Sequence, residues 1–101
     1  MADVFQALAA PARRTILDAL KKRERQTLFE LTGRLIMEHE LELTRQAISQ
    51  HLEVLEEAGL VEAVREGRHK YHTLKTEPLE GLLDRWLDST DLLGRKGRQR
   101  Q

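Results

Sequence analysis

Residues 43–74, LTRQAISQHLEVLEEAGLVEAVREGRHKYHTL, constrain this chain more than any other segment, because they read as an amphipathic helix followed at once by a short basic hairpin. With helical residues about 100° apart, Ile48, Leu52 and Leu55 fall on one side and define a buried stripe. Gln46, Ser49, Gln50 and Glu53 point the other way, with Arg45 on the flank. From Leu43 to Leu52 there is one arginine and no acid; the acids begin at Glu53. A carboxylate in a major groove would oppose the phosphate charge, and short amides and hydroxyls bond base edges or phosphates, so this asymmetry suits a helix whose first turns enter a groove. An ordinary solvated face would mix both signs.

The ends of this helix are marked. Thr44 is placed as the N-cap, with Leu43 and Ile48 positioned for a hydrophobic staple. Gly59 can take the left-handed position after the last turn, letting Leu60 pack back on Leu55. Residues 61–65 and 68–74 then read as two strands around a turn at Glu66 and Gly67. Arg65, Arg68 and Lys70, with His69 beside them, outnumber Glu62 and Glu66, so the hairpin suits a phosphate backbone or a minor groove.

Three segments together, FQALAAPARRTIL, TRQAISQHLEVLEEAGLV and REGRHKYHTL, resemble the ArsR-type (arsenic-resistance-repressor-like) winged helix-turn-helix transcription regulators. The resemblance runs from Phe5 to Trp86, about four-fifths of the chain. It implies a mainly α fold with a small β-hairpin: five helices and a two-stranded wing. It further implies a homodimeric repressor bound to an inverted repeat in double-stranded DNA. On this resemblance Arg13 is a structural partner inside the fold, whereas Arg14 is a lesser candidate for a phosphate contact. Metal-sensing relatives carry two cysteines at the positions of Thr27 and Phe29, and neither residue here binds a soft metal. The ending TEPLEGLLDRWL is similar to the non-metal-sensing branch. One departure stands out: residues 31–44, with the acidic run EHELE, are about six residues longer than the family's tight turn, which predicts either an extended third helix or a loop.

The expected DNA-binding residues are Thr44, Arg45, Gln46, Ser49, Gln50, His51, Arg68 and Lys70. His51, on the helix flank, is expected to bridge to a phosphate or to fill a half-buried position. The remaining helices start near Asp3, at Pro11, at the capping box Thr27–Glu30, and at Pro78. The second is expected to bury Ile16, Leu17 and Leu20; the third, Leu28, Leu31 and Leu35. The last, over residues 78–93, has the strongest amphipathic pattern. Its Leu79, Leu82, Leu83, Trp86 and Leu87, with Val4, Phe5 and Leu8 of the first helix, form the expected dimer interface, the other reading being an intramolecular core.

With 101 residues and only 4% aromatics, one domain with a small aliphatic core is expected, over residues 1–94, followed by a basic tail at 95–101. That tail is read as disordered, either inert or adding weak electrostatic affinity. Basic and acidic residues balance at 17 each, so only their distribution, not net charge, points to nucleic acid. Cysteine is absent, which removes disulfides and thiolate metal sites and is compatible with a reducing cytosol. No signal sequence or membrane span is expected, and the expected location is the cytoplasm. His39, His51, His69 and His72 are scattered, so no metal or cofactor is expected; the His39 region with its acids is the one place where a metal would be sought. No phosphate loop or nucleophile pair suggests an enzyme. Any effector is unknown. The alternative reading is a winged-helix protein-interaction module, which would have no reason to exclude acids from the first turns of the helix.

Overall fold

Three of the helices begin where short side chains satisfy the free amides of their first turns, and the other two open on or beside a proline. A computed structural model describes residues 3–87. Helix α1 (Val4–Ala9) starts with a reciprocal capping box between Asp3 and Gln6, at 2.8 and 3.0 Å. Helix α2 (Pro11–Lys22) opens on proline, which has no amide to leave unbonded. Helix α3 (Leu28–His39) has the expected box: Glu30 donates its amide to the Thr27 hydroxyl, and Thr27 donates its own to the Glu30 carboxylate. That bond from the Thr27 amide is the main reason the Glu30 carboxyl is held below its ordinary range.

Helix α4 (Arg45–Glu57) is capped by the Thr44 hydroxyl, which accepts from the Ala47 amide at 3.0 Å. It ends as expected. Gly59 takes φ 80°, its amide bonds the Glu56 carbonyl, and the Leu60 amide bonds the Leu55 carbonyl at 2.9 Å. The chain then turns directly into strand β1 (Val61–Glu66), which pairs antiparallel with β2 (His69–Leu74), Val61 opposite Leu74 and Glu66 opposite His69. The two-residue turn is therefore Gly67 and Arg68, one position beyond the expected Glu66 and Gly67. Glycine at φ 62° in the first turn position, followed by a residue of negative φ, fits the right-handed twist of the strands. Gln26 adds a short third edge by pairing with His72.

Between α3 and α4 both expectations hold in part. Helix α3 runs on to His39, Glu40 turns it off at φ 53°, and residues 40–44 form a brief connection whose Leu41 and Leu43 pack against the core. Helix α5 (Glu77–Trp86) covers the first part of the expected 78–93 and is followed by an extended Leu87; residues 88–101, which hold the rest of that expected helix and the expected basic tail, lie outside the described ones. No α5 side chain is fully buried.

The core lies where α1 to α4 meet the base of the wing: Ala7, Ile16, Ala19, Leu20, Leu31, Leu35, Ile48, Leu52, Leu55, Leu60 and Val61. Of the expected core residues, Leu17 and Leu28 are only partly covered. Ala7 and Ala19 are fully buried within the core, so small side chains take part in the close packing.

Candidate nucleic-acid interface

The buried stripe of α4 fixes what its other face presents. With Ile48, Leu52 and Leu55 in the core, Arg45, Gln46 and Gln50 are exposed, and Ser49 and His51 are half-buried. The Thr44 hydroxyl is engaged in the cap. The exposed part of the first two turns thus carries a guanidinium and two amides, and no carboxylate within α4 precedes Glu53.

His51 has a protein partner. Arg13 Nη1 lies 3.2 Å from His51 Nδ1, and a guanidinium only donates, so Nδ1 accepts and the ring proton sits on Nε2. Burial, and then the Arg13 charge, push the His51 pKa below its usual value, favouring the neutral ring. Arg13 also donates to the carbonyls of Ala7 (2.8 Å) and Gln6 (3.0 Å), tying α1, α2 and α4 together in the structural role expected of it. Arg14 is engaged too, donating to Leu8 at 2.6 Å.

The wing sorts its charges by face. Alternation places Val61, Ala63 and Arg65 on one side with His72 and Lys70, and Val61 and His72 are buried against the helices. Glu62 and Glu66 lie on the other side with Tyr71 and His69. Each acid has a cation from outside the hairpin: Lys75 stands 3.8 Å from Glu62, and Arg25 2.6 Å from Glu66. Arg65, Arg68 and Lys70 form no ion pair among the described residues. Arg68 occupies the turn and Lys70 the helix-facing side, so the two expected wing contacts are not equivalent. Arg25 escapes sequence reasoning, because a basic residue in the run KKRERQ carries no periodic signal.

A separate apolar face spans α1 and α5. Of the residues expected there, Val4, Leu8 and Leu79 turn partly toward the core, and Leu82 is half-buried. Phe5 and Trp86 are 55% and 61% exposed with ring centroids 6.1 Å apart, and Leu83 and Leu87 are exposed beside them. Among the described residues no helix is long and apolar enough to cross a membrane, and no group of three or more His, Asp or Glu is placed to hold a metal ion.

Residues 8–64 match the helix-turn-helix domain family. The chain is 48% identical over 85 residues to the uncharacterized HTH-type transcriptional regulator YuzN of Bacillus subtilis (strain 168), spanning 84% of this chain and 92% of that one. It is 33% identical over 87 residues to the transcriptional repressor SdpR of the same organism, spanning 86% and 88% respectively. The crystal structure of a possible transcriptional regulator for arsenical resistance superposes with a TM-score of 0.67 at 33% identity, covering 98% of this chain and 100% of that one. The family match takes in α2 to α4 and most of β1, and the longer alignments reach most of the chain, so the protein belongs to the ArsR-type winged helix-turn-helix transcription regulators.

Proposed function

We propose that this regulator is a homodimeric repressor that recognises an inverted-repeat operator in double-stranded DNA, in the cytoplasm where that DNA lies. The observation that carries the reading is the acid-free, exposed start of α4 beside a wing whose cations are unpaired. Arg45, Gln46, Ser49 and Gln50 read or position bases, Thr44 and His51 border the backbone, and Arg68 and Lys70 clamp phosphates. The likeness to a repressor supports repression. Pairing follows from the uncovered Phe5, Leu83, Trp86 and Leu87, since closed two-fold pairs are the commonest way to cover such a face. Two copies would set their α4 helices in successive major grooves about 34 Å apart.

A second reading, a protein-interaction module, draws on the outer face of α3, where Phe29, Ile36 and Met37 are exposed. Selection of bound sequences from a random duplex pool at two salt concentrations separates the two. An inverted repeat with half-sites about one helical turn apart supports the dimeric repressor. Absence of any motif, with binding lost at modest salt, favours the interaction module. Once an operator is in hand, Gln46→Ala should change which bases are preferred. Arg68→Ala should weaken all sequences alike and flatten the salt slope by about one unit. Equal loss of sequence preference from both changes would contradict these roles.

A further inference from the structure

Arg25 holds a backbone conformation that side chains avoid, with φ at 59°. The next residue explains the bend. Gln26 exchanges backbone hydrogen bonds with His72 at 3.0 and 2.8 Å, and its side-chain amide reaches back to the Ala19 carbonyl at 2.8 Å and that of Arg23 at 2.9 Å. The chain therefore leaves α2, turns sharply, and runs briefly along the edge of β2. Gln26 is buried on the helix-facing side, whereas the Arg25 side chain reaches the outer side of the wing. There its guanidinium lies 4.4 Å from the centre of the Tyr71 ring, and Nη2 bonds a Glu66 carboxylate oxygen at 2.6 Å. One side chain straps the linker, β2 and β1 together.

The opposite face of the hairpin shows what the strap is for. Arg65 and Lys70 stand directly opposite one another in the register, on the side turned to the helices, and like charges so placed weaken a hairpin. Their repulsion is relieved by an anion. Glu66, one residue from Arg65 and next to the turn, would oppose that anion if its charge were free. Arg25 removes that opposition. An exposed ion pair adds little to folding, so its effect falls on the field around the wing tip rather than on the fold.

We propose that Arg25 is a positioning residue for DNA binding: it neutralises Glu66 so that the Arg65–Lys70 pair meets the phosphate backbone unopposed. This rests on the DNA-binding reading above. Arg25→Gly tests it directly, because glycine accepts the same φ without strain while removing the strap. The variant should melt at the parent temperature or above it, yet bind the selected operator duplex about threefold to tenfold more weakly by fluorescence anisotropy. Glu66→Gln added to Arg25→Gly should restore most of the loss. Glu66→Gln alone, which leaves Arg25 and its backbone in place, should bind much as the parent does, because Arg25 already neutralises that carboxylate.

Parent-like binding by Arg25→Gly would overturn the proposal. So would failure of Glu66→Gln to restore binding, which would make Arg25 a direct contact or a merely structural residue. If the unaltered chain bound no duplex at any salt, the DNA-binding reading would fall and take this one with it; if it bound and the two changes proved independent, only this one would.

Discussion

His72 sits where the wing meets the helices, and its ring is part of a buried polar chain. Its Nδ1 lies 3.1 Å from the Gln26 carbonyl, which only accepts, so the proton sits on Nδ1. Gln26 is fully buried, and its side-chain oxygen accepts from Arg34 Nε at 3.1 Å, while Arg34 also pairs with Glu38. Burial is the largest influence on the ring and lowers its pKa below the usual 6.5; Lys70 adds to this, and the Gln26 carbonyl and Glu56 oppose it. A folded-state pKa below the unfolded one means that the unfolded chain takes up protons first as pH falls. The stabilising contribution is thus intact above about 6.5 and is lost as pH drops through the lower folded value. His51 shifts in the same direction. Urea midpoints should therefore fall between pH 7.5 and pH 5.5, and His72→Gln should flatten that profile; an equally steep profile in the variant would show that His72 is not the cause. At this scale the sequence was least informative. A glutamine between a basic run and a capping threonine gives no sign that it is buried, and the Arg13 contact to His51 joins residues 38 positions apart.

Elements were legible because their signals are local. Thr44, the Thr27–Glu30 box and Gly59 each act within one helical turn, and each does in the fold what its position implies. Gly59 does more than the sequence suggests. A Cβ built there would meet Pro78 Cγ at 3.2 Å, so the end of α4 is also where α5 begins to pack. Gly59→Ala combines a strained φ with that close approach and should cost at least about 1–2 kcal/mol. Gly67→Ala, with nothing within 4 Å, carries the strain alone and should cost less by chemical denaturation. Similar losses would argue against a role for Pro78. The turn of the wing was misplaced by one residue because glycine serves in either central position of a hairpin turn, and only the pairing of Glu66 with His69 decides which.

At the scale of the molecule, the face shared by α1 and α5 is left uncovered among the described residues. Phe5 and Trp86 touch each other yet remain mostly exposed, and a chain with so small a core gains from covering them. Trp86→Ala should shift the protein toward monomer in sedimentation and weaken operator binding without altering any residue placed at the DNA, because half a dimer loses the second groove contact. Unchanged affinity in a confirmed monomer would count against dimeric recognition.

The sequence by itself determined the periods, caps and breaks that set five helices and a wing in order, since each of these depends on a few neighbouring residues. It also determined that the first two turns of α4 are free of acid. The tertiary structure decided what depends on residues far apart: the Gln26 chain beneath the wing, the register that sets Arg65 against Lys70, and the strap from Arg25 to Glu66. A single side chain does not announce its partner when that partner lies forty positions away, and only packing brings the two together.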